Sequence, residues 1–249
     1  MVQRNALVYR RVWRGSVFSS FLQPTLFLLA MGLGLGAMVD AGGAALPGGV
    51  SYPEFLAPGL LAAAAMQVAG FESTYPVLGK MMWFRNYEAI TATPLRVSDL
   101  VLGGLVWMAV RLMTIATAFV LVMTAFGIPR SPLVILAIPD AVLTGLAFAA
   151  PIMAYAATLK HSNTFNVLFR FVLTPLFLFS GVFFPISRLP EWFGRAAWFT
   201  PLFHGVQLVR GFALDAVPPA WPIHITFLTA LVAAGIAMAQ RTFRRRLYS

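Results

Sequence analysis

The sequence predicts an all-α membrane protein with six transmembrane helices, an N-terminal interfacial helix, and an outer re-entrant helical hairpin between the fifth and sixth spans. Three observations carry that expectation. The chain is 59% hydrophobic and only 10% charged, with a mean hydropathy of +0.81; it holds six long apolar stretches; and its cations collect in alternating connecting segments. Soluble domains carry about a quarter charged residues, so this composition suits a bilayer rather than water. The 249 residues are therefore expected to form one membrane domain, 1–249, instead of two soluble ones.

A helix needs about 20 apolar residues to cross a hydrocarbon core of roughly 30 Å. The stretches 17–38, 55–78, 100–126, 133–159, 165–184 and 221–239 meet that requirement. The first follows a basic start, as in a signal peptide, but it exceeds the roughly 7–15 apolar residues of such a segment, and it is expected to remain as a span. Residues 3–13 place Leu7, Val8, Val12 and Trp13 near one face and Arg4, Arg10 and Arg11 around the other. That pattern fits a helix over 1–15 lying along the membrane surface.

Orientation follows from the cations. Four Arg lie in the first fourteen residues and four in the last nine (Arg241, Arg244, Arg245, Arg246). With both termini inside, 12 Lys and Arg fall on cytoplasmic segments and 4 outside (Arg130, Arg188, Arg195, Arg210). The bias predicts a multi-pass protein of the inner (plasma) membrane with cytoplasmic termini. It also assigns the net charge of +10 to anionic membrane lipids rather than nucleic acid. The stretch 196–214 is almost long enough to cross, yet a crossing there would carry the C-terminal Arg cluster outside. It is expected to dip into the outer interface, within an extracytoplasmic helical segment over 185–220.

No soluble-type active site is visible. With no Cys, disulfides and thiolate chemistry are excluded. Gly79-Lys80 is followed by Met81 and lacks the upstream Gly of a phosphate loop. His161, His204 and His224 lie in separate loops or span ends, so no shared metal site is expected. The chain is expected to hold no cofactor and to have no catalytic residues.

Charges inside spans cost about 2.5–3.5 kcal/mol each on insertion scales and therefore mark function or helix pairing. There are four: Glu72, Arg111, Asp140 and Arg170. Counting 1.5 Å per residue, Glu72 should pair with Arg170 or Arg111, and Asp140 should lie nearer the outside. The aromatic outer segment offers Phe183, Phe184, Trp192, Phe193, Trp198, Phe199 and Phe203 as an interfacial belt or an outer gate. On the inner side, the charged loop 80–99 can form one or two helical turns that Pro94 ends.

Three fragments carry a resemblance: Tyr87-Glu88-Ala89 with Ala92-Thr93-Pro94-Leu95 and Asp99; Ser180-Gly181-Val182-Phe183-Phe184-Pro185; and Leu189-Pro190 through Pro201-Leu202, His204-Gly205 and Leu208-Val209-Arg210. In order and spacing they resemble permeases of ABC-2 type exporters, in the branch with lipooligosaccharide (nodulation-factor) exporters and antibiotic-resistance permeases. One departure is Gly103-Gly104, where that branch often carries an acidic residue.

The resemblance implies a permease moving a lipid, glycolipid, polysaccharide or hydrophobic drug outward. Two such halves, identical or not, would sit above two ATPase subunits that hold the ATP and Mg. By similarity, Arg85, Asn86, Tyr87, Glu88, Ala89, Thr91 and Thr93 would form the coupling helix, and Lys160 and His161 a smaller second contact. The competing expectation is an ion-coupled secondary transporter acting without an ATPase. Four scattered intramembrane charges make a thin proton relay for it.

Overall fold

In the computed structural model the described residues are 21–22, 25–30, 34, 46, 49–82 and 96–248. They are helical with no strand among them. The helices are α1 (Tyr52–Ser73), α2 (Tyr75–Met82), α3 (Val97–Ala125), α4 (Ala137–Ala156), α5 (Thr164–Phe179), α6 (Glu191–Ala197), α7 (Pro201–Ala213) and α8 (Trp221–Tyr248). Four apolar helical segments are long enough to cross a membrane: Tyr52–Met82, Val97–Ala125, Pro132–Ala156 and Trp221–Tyr248; α5 is a shorter apolar helix. Most of the expected first span, the interfacial helix over 1–15 and the coupling loop from Arg85 to Thr93 lie outside the described residues.

Local chemistry explains the boundaries. Ahead of α1, the Ser51 N–H donates to the Glu54 carboxylate at 2.7 Å, and Pro53 occupies the first turn, where its missing N–H costs nothing. Thr74 breaks the line between α1 and α2, its hydroxyl donating to the Gly70 carbonyl at 3.0 Å. At the start of α3 the Arg96 N–H donates to the Asp99 carboxylate at 2.9 Å. Within α5 a π turn occupies Phe169–Leu173, immediately before Pro175. The proline ring would clash with the carbonyl four residues earlier, and the widened turn relieves that crowding.

The centre of the bundle is α4. It packs against α1, α3, α7 and α8, and it is apolar nearly all round, as a helix surrounded by neighbours must be. Without a hydrophobic drive between helices in lipid, such contacts depend on close van der Waals fit and small residues. Two glycines supply it. A Cβ on Gly235 of α8 would stand 2.6 Å from Pro151 Cδ and 2.7 Å from Ala150 Cβ of α4, and one on Gly205 of α7 would stand 2.2 Å from Thr144 Oγ1. The outward side of α3 instead presents Leu102, Val106, Val110, Met113 and Leu121, all exposed at helical spacing. That is the surface lipid would meet.

The Gly205 contact yields a direct test. Gly205→Ala should destabilise the protein by about 1–3 kcal/mol through overpacking, read as a lower unfolding midpoint in detergent. Adding Thr144→Ala removes Oγ1 and Cγ2 from the clash and should restore much of the loss; a midpoint unchanged by Gly205→Ala alone would contradict the close α4–α7 packing.

Candidate functional site

A cavity of about 400 Å³ opens between α1 and α5, lined by Met66, Gln67 and Phe71 on one side and Leu173, Thr174 and Phe177 on the other. Its walls are mainly aromatic and aliphatic, with Gln67 and Thr174 as polar points. Such a lining suits an apolar body carrying a few hydrogen-bonding groups. The π turn places Phe169 and Leu173 on the cavity wall and leaves the Arg170 and Phe171 side chains exposed.

Beside the cavity, Arg111 of α3 donates to the Glu72 carboxylate of α1 and forms an ion pair with it. Of the two pairings the sequence left open, this one forms. Arg170 has no ion-pair partner among the described residues. The side chains of Glu72 and Arg111 are 22% and 30% exposed, and Arg111 Nε is buried without an acceptor. Asp140 is buried on α4, and neither of its oxygens has a hydrogen-bond partner. One turn along, the Thr144 hydroxyl is also unpartnered.

Arg210 of α7 binds the turn after α5 to α1. Its Nη2 donates to the Gly181 carbonyl at 2.8 Å and to the Phe55 carbonyl at 3.1 Å, while Nε donates to the same Phe55 carbonyl at 3.2 Å. The guanidinium carbon also stands 3.8 Å above the Phe55 ring, within cation–π range. Gly181, with φ of 83°, adopts the left-handed conformation that turns its carbonyl into this contact. A second tie runs from the loop after α3: Arg130 donates through Nε and Nη2 to both Glu54 oxygens at 2.8 Å. That hydrogen bond holds the Arg130 guanidinium above its ordinary value. The Arg130 N–H adds a bond to the Ala213 carbonyl at 2.8 Å, closing the end of α7 onto the same corner.

The aromatic segment divides by exposure. Trp192, Trp198 and Phe199 are exposed, at 66%, 42% and 80%. Phe183 packs edge-on to Phe177 at 4.9 Å, Phe184 meets Phe179 at 6.5 Å, and Phe203 is buried. A smaller cavity, about 260 Å³, lies between α5 and α6 beside Phe179, Ser180, Phe193 and Thr200.

His204 and His224 lie on different helices, α7 and the start of α8, yet they meet. They are buried together, with their Nδ1 atoms 2.6 Å apart. His204 Nε2 faces the Trp198 carbonyl at 2.8 Å and must donate to it. Its Nδ1 is then the acceptor for a proton on His224 Nδ1. Burial pushes the His204 pKa down, and the bond to Trp198 partly opposes it. Among the described residues no group of three or more His, Cys, Asp or Glu could hold a metal.

Lys160 and His161 are exposed in the loop between α4 and α5. Arg246 of α8 donates to the Leu159 carbonyl at 3.0 Å and fixes the base of that loop. The Arg210 clamp and the Arg130–Glu54 pair were not assigned from sequence. Their only sequence signals were a charge within the near-span 196–214 and an acid placed three residues after Ser51.

Two substitutions separate these contacts. Arg210→Lys keeps the charge but cannot reach two carbonyls with one planar fork, and it should cost about 1–3 kcal/mol in an unfolding midpoint measured in detergent. A double-mutant cycle over Glu72→Gln and Arg111→Gln should return a coupling of about 0.6–1.7 kcal/mol, the range seen for polar pairs between membrane helices; zero coupling would show that the two side chains act independently.

Comparison with known proteins gives a consistent picture. Residues 1–214 match the ABC-2 type transporter family. The chain is 32% identical over 247 residues to "Nodulation protein J" of Sinorhizobium fredii, covering 99% of this chain and 92% of that protein. It is 33% identical over 245 residues to "Nodulation protein J" of Rhizobium leguminosarum bv. trifolii, covering 98% and 92%. It is also 23% identical over 207 residues to "Inner membrane transport permease YadH" of Escherichia coli, covering 82% of this chain and 76% of that protein.

Proposed function

The chain belongs to the ABC-2 type transporter family, and from that premise we propose that it is the membrane-spanning subunit of an ATP-driven exporter for an amphipathic, lipid-linked molecule. As an ABC transporter permease it is a membrane transport component and is not itself catalytic. ATP hydrolysis belongs in this reading to two copies of a soluble partner, docked below two permease halves in the inner membrane. Inward-facing contacts are assigned to the loop 85–93 and to Lys160 and His161.

The observation that carries the reading is nearly full-length similarity to the nodulation J proteins, joined to the cavity between α1 and α5. The aromatic walls fit an acyl or similarly apolar portion, and Gln67 and Thr174 supply the polar points for a head group. A glycolipid or lipooligosaccharide satisfies both better than a polysaccharide without a lipid. Closure of the ATPase pair would rock the packed halves against one another as rigid bodies. The substrate would then leave past the turn after α5 that Arg210 holds to α1.

Reconstitution tests this directly. In liposomes, outward movement of a fluorescent glycolipid should require the chain, an ATPase carrying a phosphate loop, and ATP together. Gln67→Leu with Thr174→Val should change which head groups are carried without abolishing ATP hydrolysis by the complex. Equal transport by the isolated chain without ATP would overturn the proposal.

A further inference from the structure

The end of α8 carries a feature that the exporter reading does not use. The apolar part of this helix ends at Ala239, and four side chains follow on one face: Arg241, Arg244, Arg245 and Tyr248, spaced i, i+3, i+4 and i+7. All four are exposed. The opposite face is committed to the protein. Phe243 is 1% exposed, Leu247 is half-buried against the core, and Arg246 donates to the Leu159 carbonyl at 3.0 Å. Rotating the helix to hide the arginines would expose Phe243 and break that bond.

Among the described residues the three guanidiniums have no counter-charge. Arg241, Arg244 and Arg245 make no hydrogen bond or ion pair among the described residues, and the chain contains no Asp or Glu after Asp215. Held on one helical face, they repel one another unless an anion lies between them.

Depth decides which anion. From Trp221 to Ala239 the helix rises about 27 Å, close to the thickness of the hydrocarbon core. Beyond Ala239, Arg241 stands about 3 Å, Arg244 about 7.5 Å and Arg245 about 9 Å further along the axis. The headgroup layer on each side is roughly 5–8 Å thick. The stripe therefore passes through the layer of lipid phosphates and ends at its surface. An acidic soluble protein would have to displace headgroups to reach Arg241, whereas a phosphodiester is already there. Guanidinium forks bind phosphate oxygens bidentately, and Tyr248 adds an aromatic ring suited to the interface.

We propose that Arg241, Arg244 and Arg245 form a binding surface for the phosphate headgroups of anionic phospholipids in the adjoining leaflet. The inference needs only that α8 crosses the bilayer, so it stands or falls separately from the exporter reading. Each arginine near an anionic surface contributes roughly a fivefold preference; three together give on the order of 100-fold.

Native mass spectrometry of the full-length chain, released from detergent with phosphatidylglycerol, phosphatidylcholine or inorganic phosphate, tests it. The wild-type chain should retain phosphatidylglycerol over phosphatidylcholine, and R241Q/R244Q/R245Q should lose that preference by tens of fold or more. An unchanged unfolding midpoint in phosphatidylcholine micelles would show that the triple variant is folded; should it unfold, Arg241→Gln and Arg245→Gln alone should each lower the preference about fivefold. As a comparison, R188Q/R195Q, at the other end of the bundle, should keep the preference. Three results would overturn the proposal: full selectivity in the folded triple variant, loss of selectivity only in R188Q/R195Q, or displacement of the lipid by millimolar inorganic phosphate, which would mark a general anion site. No preference in the wild type would hand the stripe to an acidic protein and overturn it equally.

Discussion

A cation largely withdrawn from water needs a partner, and one end of this bundle is arranged around how Arg210 finds one. No carboxylate among the described residues takes the role. Two main-chain carbonyls, of Phe55 and Gly181, accept from its fork, and the Phe55 ring covers its face. Two of these contacts come from α1 and one from the turn after α5, and Arg210 itself stands on α7, so one side chain fixes the relative placement of three elements. Removing water from a guanidinium is costly, and this geometry repays the cost only while those elements stay together. The turn's position is thereby tied to the position of α1.

The same reasoning explains why α4 is central. Lipid offers apolar side chains no reward for leaving it, so helices associate where backbones approach closely and polar atoms pair. Gly205 and Gly235 let α7 and α8 close on α4. The Glu72–Arg111 pair joins α1 to α3 on another side. Among the described residues, α5 lies at the edge of this packed centre: its Val167 and Phe171 are exposed, and the cavity opens along its border with α1. Among the described residues α5 has few packing partners, and such a helix is the one best able to move; the proposed path lies beside it.

Charges gave the most informative comparison between sequence and structure. Depth counting from span ends brought Glu72 near two arginines, but depth says nothing about which face of a helix a residue occupies. Arg111 lies on the face toward α1, and Arg170 is turned outward by the π turn before Pro175. For the same reason His204 and His224, separated by 20 positions and placed in different segments, meet at 2.6 Å once α7 folds against α8.

Sequence alone determined the solvent, the apolar segments and the family. Those properties are summed along the chain: hydropathy over about 20 residues, the placement of Arg and Lys, and fragments such as Ser180–Pro185 read in order. The Ser51–Glu54 cap is local too, since the two residues are three apart, but only the structure showed it. The tertiary structure alone decided that Arg210 clamps Phe55 across 155 positions, that Arg130 reaches back 76 positions to Glu54, and that a cavity separates α1 from α5. Each depends on the rotation of one helix about its axis relative to another. That rotation is set by the fit of whole faces, through contacts such as Gly205 with Thr144, which no local pattern in the chain encodes.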